Sequence, residues 1–83
     1  MFQLLFRKAF QKSFSKLQKL DQERLRKKVW ALKDDYLLGK KLVGYPYWSL
    51  RVGRFRVIYE VRKNDSEIEV IELLERKHDY KDI

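Results

Sequence analysis

From residue 45 onward the apolar side chains fall on every second position. In YPYWSLRV, Trp48, Leu50 and Val52 share one side of an extended chain, and Tyr47, Ser49 and Arg51 share the other. After Gly53, GRFRVIYEV repeats the pattern with Phe55, Val57, Tyr59 and Val61 against Arg54, Arg56, Ile58 and Glu60. Two such runs with a short turn at VGR between them read as a β-hairpin. A hairpin with one apolar face folds only if something covers that face, and the residues before it must supply the cover.

They have the helical period needed to do so. Phe10, Phe14 and Leu17 recur at spacings of four and three, with Lys8, Lys12, Ser15 and Lys16 between them, as on a short amphipathic helix. Asp21 stands where an N-cap is expected, and Glu23 adds negative charge to the first turn. Leu25, Val29, Leu32 and Tyr36 then continue a second helix, which Gly39 is expected to close. The apolar run at residues 2–6, FQLLF, suits a first strand or the start of a helix. RKNDSE is a turn. EIEVIELLE carries apolar residues on both faces, as a strand inside a sheet does.

No Pro/Gly linker or repeat divides the chain, so residues 1–83 are expected to form one small α+β domain. Its order is strand, helix, helix, strand, strand, strand, with a helical hairpin packed on one face of a mainly antiparallel sheet. The other face would then stay open, presenting Tyr47, Ser49, Arg51 and Arg56.

Charge adds a second asymmetry. Residues 1–44 hold twelve Lys and Arg against four acids, whereas residues 45–83 hold eight of each. The basic half suits a polyphosphate or an acidic protein segment, through counterion release; a solvated helix face accounts for it equally well. Lys12, Arg24, Lys27 and Lys28 fall away from the apolar stripes, and Lys40 and Lys41 follow in a loop. With no cysteine and one histidine, no disulfide or usual zinc set is available, and no cofactor is expected. The early apolar run spans five residues before Arg7, which fits neither a signal peptide nor a membrane span, so a cytoplasmic protein is expected.

No Ser-His-Asp order, phosphate-cradling glycine loop or acidic metal cluster is readable. What remains is cation-assisted chemistry. Arg56, held between Phe55 and Val57, either grips a phosphate in a bidentate contact or pairs with Glu60, Glu69 or another acid of the last strand. Arg51 has the same two options. Tyr45 and Tyr47, beside Pro46, either stack on a base or shield the hairpin. His78, with an ordinary pKa of about 6.5, either transfers a proton or lies solvated in ERKHDY. Tyr80 needs adjacent cations to act as an acid, and Arg76 is placed to supply one.

These pieces resemble the RelE/ParE superfamily of small toxins, and the RelE/YoeB-type mRNA endonucleases in particular. WSLR at residues 48–51 looks like the YoeB-type WS-x-R run, and RVGRFRVIYEV looks like the superfamily's R-x-G-x-[YF]-R-[VL]-x-Y signature. ERKHDY is similar to the YoeB-type RYHY ending, with Asp79 inserted before the tyrosine. The chain departs from the relatives in having no lysine on the strand of Tyr47 and Ser49, and no acid between Gly39 and Trp48.

The resemblance implies a RelE-like fold and the toxin of a type II toxin–antitoxin system, cutting mRNA in the ribosomal decoding site without a metal. It implies 2′-hydroxyl attack on the adjacent phosphate, with Arg56 and Arg76 steadying the phosphate, His78 or Tyr80 protonating the leaving oxygen, and Arg51 positioning the backbone. Lys12, Arg24, Lys27, Lys28, Arg54 and Lys77 would bind RNA. The implied partners are the ribosome and a cognate antitoxin, which lays an acidic, partly disordered segment over the open sheet or the helices. The same fold also implies two rivals, a ParE-like inhibitor of DNA gyrase and a non-catalytic RNA- or antitoxin-binding module.

Overall fold

The computed structural model describes residues 1–75. Strand β1 (Gln3–Phe6) leads into helices α1 (Lys8–Ser15) and α2 (Lys19–Ala31). After a short 3-10 turn at Tyr36–Leu38 come β2 (Lys40–Lys41), β3 (Trp48–Val52), β4 (Phe55–Arg62) and β5 (Glu67–Glu75). The strands form one sheet in the order β1-β5-β4-β3-β2, antiparallel except where β1 runs parallel to β5. The α+β expectation stands, with the ambiguous run at residues 2–6 resolved as an edge strand.

Both helices cover one face of the sheet. Leu25, Leu32, Val57, Tyr59, Ile68 and Val70 are fully buried in that layer, joined by Phe10, Val29, Leu50, Val52, Phe55 and Leu73. All the apolar positions of the hairpin pattern belong to it or pack against it, because cross-strand partners point the same way. Gly53 takes φ 59°, the left-handed geometry a two-residue hairpin turn needs at its first position.

Three boundaries differ from expectation. α2 begins at Lys19, capped by the extended backbone of Gln18, so Asp21 lies inside the first turn. It ends at Ala31, where Leu32, Lys33 and Asp34 donate to the carbonyls three residues back and tighten the last turn. Lys40 and Lys41, expected in a loop, form a two-residue edge strand: Lys40 lies opposite Ser49 and Lys41 opposite Trp48.

Gly39 therefore does not close α2, whose C-cap is Leu32; it follows the 3-10 turn in extended backbone. It sits where a Cβ would come within 2.4 Å of the Tyr59 hydroxyl and 2.8 Å of the Ser49 carbonyl oxygen. The Tyr59 hydroxyl accepts from the Gly39 N–H at 3.0 Å and donates to the Tyr36 carbonyl at 2.8 Å. Burial pushes its pKa up to about 12, so the phenol keeps its proton.

β5 explains its own double-sided pattern. Ile58 pairs with Glu72 but Tyr59 pairs with Val70, which leaves Ile71 as the extra residue of a β-bulge. The bulge shifts the phase, so that Ile68, Val70 and Leu73 all reach the helix layer. On the other face, Ile58 and Ile71 are buried and Ser49 is nearly so, a closed patch within a face expected to be open.

Replacing Gly39 with Ala is expected to destabilise the fold by about 1–3 kcal/mol through overpacking against Tyr59, read as a lower denaturant midpoint at unchanged slope.

Candidate functional site

The face away from the helices is built by alternation. Val52, Leu50 and Trp48 turn toward the helices, so Arg51 and Ser49 turn away; Phe55, Val57 and Tyr59 do the same for Arg56 and Ile58. Register then sets Arg51 directly opposite Arg56, and Ser49 opposite Ile58. Side chains so paired have Cβ atoms about 4.5–5.5 Å apart. Two guanidinium-bearing side chains rooted at that spacing on one face concentrate positive charge there, which suits an anion. Arg51 is exposed and Arg56 half-buried, the latter beside Leu74 of β5.

Two of the acids expected to compete for these arginines, Glu60 and Glu69, bond to Arg62 and Arg7. Glu69 accepts from Arg7 at 2.6 Å and from Arg62, while Arg62 also reaches Glu60 at 3.0 Å and Glu67 at 3.7 Å. Hydrogen bonding from Arg7 holds the Glu69 carboxyl below the ordinary carboxylate range, and both arginines are raised in turn, chiefly by their bonds to Glu69. This cluster joins the N-cap of α1 to β5 and β4, at the far end of the sheet face from Arg51 and Arg56. Arg51 forms no ion pair among the described residues.

The remaining sequence candidates separate. Lys12, Arg24, Lys27 and Lys28 are all exposed, but on the helices, with the sheet between them and the arginine pair. Arg54 is engaged at the hairpin tip, 3.1 Å from the Asp21 carboxylate and stacked 4.8 Å from the Phe55 ring centroid. Arg76, Lys77, His78 and Tyr80 lie outside the described residues. β5 ends at Glu75, opposite Phe55 and one residue past Arg56's partner Leu74. No group of three His, Cys, Asp or Glu is arranged to hold a metal among the described residues.

A second feature escaped the sequence. Phe6, Phe10, Phe14, Leu25, Val29 and Trp30 line a groove of about 640 Å³ between the helices and β1, and Trp30 is 55% exposed beside it. The signal was Trp30 itself, a large apolar residue off the Leu25–Val29–Leu32 stripe.

The sequence profile of the family described as "ParE toxin of type II toxin-antitoxin system, parDE" matches residues 3–80. The chain belongs to this toxin family. Its fold is that of solved RelE toxins. The intact E. coli RelBE toxin–antitoxin complex matches at TM-score 0.83 and 22% identity, over 94% of this chain and 100% of that one. The archaeal RelE–RelB complex from Pyrococcus horikoshii OT3 matches at TM-score 0.83 and 23% identity, covering 94% and 98%. The RelB–RelE complex from Methanococcus jannaschii matches at TM-score 0.72 and 26% identity, covering 88% and 91%. No curated protein matches the sequence. As a RelE/ParE-superfamily member, the chain is a type II toxin–antitoxin toxin. No helix among the described residues is long and apolar enough to cross a membrane.

The ion cluster carries a pH signature. Because Glu69 is depressed in the folded state, its stabilisation is complete above the ordinary carboxylate pKa of 4.5 and fades as pH falls through the lower folded value. Glu69→Gln is expected to be less stable than wild type at pH 7, with the gap closing below pH 4.5 in denaturation curves taken at both pH values.

Proposed function

We propose that this toxin is a ribosome-dependent mRNA endonuclease, active in the cytoplasm as one unit spanning residues 1–83. The observation that carries the reading is the pairing of Arg51 with Arg56 on a rigid sheet face. Phosphodiester cleavage concentrates negative charge on the non-bridging oxygens, and fixed guanidinium donors stabilise that charge without reorganising. In the step itself the 2′-oxygen loses its proton and bonds to the adjacent phosphorus. The P–O5′ bond breaks, leaving a 2′,3′-cyclic phosphate, and the 5′-oxygen takes up a proton to become a hydroxyl.

Arg56 holds the scissile phosphate and Arg51 orients the backbone. Arg76 adds a third positive charge, and His78 or Tyr80 delivers the proton to the leaving oxygen. The ribosome places the codon, while Lys12, Arg24, Lys27 and Lys28 on the helix layer grip ribosomal RNA phosphates, with Arg54 and Lys77 adding contacts. Holding the helix cations apart from the arginine pair suits a protein wedged between ribosomal RNA and mRNA.

The partner that restrains it is a cognate antitoxin, as RelB accompanies RelE in the matched complexes. We place an amphipathic antitoxin helix in the groove beside Trp30, where β1 is also the edge strand among the described residues and can accept an added strand. The protein's net charge of +8 favours an acidic binder.

A second reading, inhibition of DNA gyrase, is favoured by the ParE family match. A translating extract separates the two. Codon-phased mRNA breaks mapped by primer extension are expected with wild type, and about 10²- to 10³-fold slower cutting with Arg56→Ala or Arg76→Ala, the usual cost of removing a donor to a developing oxyanion. Intact mRNA together with blocked gyrase supercoiling would establish the second reading instead. His78→Gln is expected to slow cleavage while leaving ribosome pelleting unchanged; unaltered cleavage assigns the acid to Tyr80.

A further inference from the structure

The arginine pair has a third cation beside it. β2 is only two residues long, yet its register is fixed: Lys40 lies opposite Ser49, and Ser49 lies opposite Ile58. Cross-strand partners share a face, so Lys40 stands on the arginine side of the sheet and Lys41, opposite the core-packed Trp48, on the helix side. Lys40 and Arg51 are then diagonal neighbours across β2 and β3, about 7–8 Å apart at Cα, and Arg51 abuts Arg56. The three form a slanted row across three strands, with the neutral Ser49 and Ile58 beside it. Glu60, Glu67 and Glu69 are bound to Arg62 and Arg7 at the other end of the face.

A lysine on a two-residue edge strand would ordinarily wander. Here the preceding residue, Gly39, is locked by its N–H bond to the buried Tyr59 hydroxyl and by contact too close for any side chain. The backbone that presents Lys40 is thus tied to the same strand, β4, that carries Arg56. Lys40 itself is exposed and free to reach outward.

We propose that Lys40 binds the phosphate next to the scissile one, making the site a track of cations along a single RNA strand that enters over β2. The inference rests on the nuclease reading and extends it by giving the RNA a direction across the sheet. Lysine suits the role, since a flanking phosphate needs a point charge and no bidentate geometry.

The test uses the full chain and a mixed-sequence 2′-O-methyl RNA oligonucleotide, which has no free 2′-hydroxyl to attack. Binding is followed by fluorescence anisotropy over a range of KCl concentrations. For a single strand, each phosphate contact contributes about 0.7 to the slope of log K against log[salt]. Lys40→Ala is expected to flatten the slope by about that amount, as is Arg56→Ala, while Lys41→Ala, one residue away and of equal charge, leaves it unchanged. If Lys40→Ala matches wild type while Arg56→Ala flattens the slope, the phosphate track is wrong and the arginine site stands. If Lys40→Ala and Lys41→Ala behave alike, net charge alone explains the effect and the proposal falls. If Arg56→Ala also leaves the slope intact, the nuclease reading fails and takes this inference with it.

Discussion

One buried hydroxyl links the two halves of this protein. Tyr59 lies in the middle of β4, fully enclosed, and its oxygen satisfies the Tyr36 carbonyl and the Gly39 N–H at once. Those groups belong to the segment that leaves α2 and must turn back into the sheet. In an apolar layer each would cost about 1–3 kcal/mol if left without a partner. The stacking of Tyr59 on Trp48, and of Trp48 edge-on against Tyr36, fills the space around the same point. The helix layer, the short turn and the β2 edge therefore share one anchor, and that anchor is on the strand bearing Arg56.

The sheet divides its labour lengthwise. At the β1 end, Arg7 and Arg62 are ion-paired with Glu60, Glu67 and Glu69; at the hairpin end, Arg51 and Arg56 are placed side by side. Between them the bulge at Ile71 and the buried Ile58 separate the two regions. The ion cluster ties β4 to β5, whereas two arginines side by side add positive field where a ligand can approach. Segregating them lets one small sheet be both bound firmly and strongly attractive to anions.

What was readable in the residues follows from period. The hairpin alternates cleanly, so the sequence alone shows which side Arg51 and Arg56 take and that Trp48 and Tyr59 face the core. β2 was not, because Lys40 and Lys41 carry no apolar pattern and owe their extended shape to a tyrosine twenty residues away. Gly39 looked like a cap because glycine after an apolar stripe usually is one; its actual reason, the nearness of Tyr59, is purely tertiary. β5 shows apolar residues on both sides for two different causes, an interior position between β1 and β4 and a bulge, and periodicity cannot separate them. Asp21 reads as an N-cap, yet Gln18 holds that place and the Asp21 carboxylate pairs with Arg54 across the fold.

The parallel pairing of β1 with β5 has a consequence for when the arginine face is complete. Residues 3–6 leave the ribosome early and have no strand to join until residues 67–70 follow them. Until then the place between β1 and β4 is empty and Arg56 lacks its neighbour Leu74. Contacts between segments so far apart in the chain are the last and slowest to form. The sheet that frames Arg51 and Arg56 is therefore complete only once β5 has joined it, so the arginine face depends on the longest-range pairing in the fold.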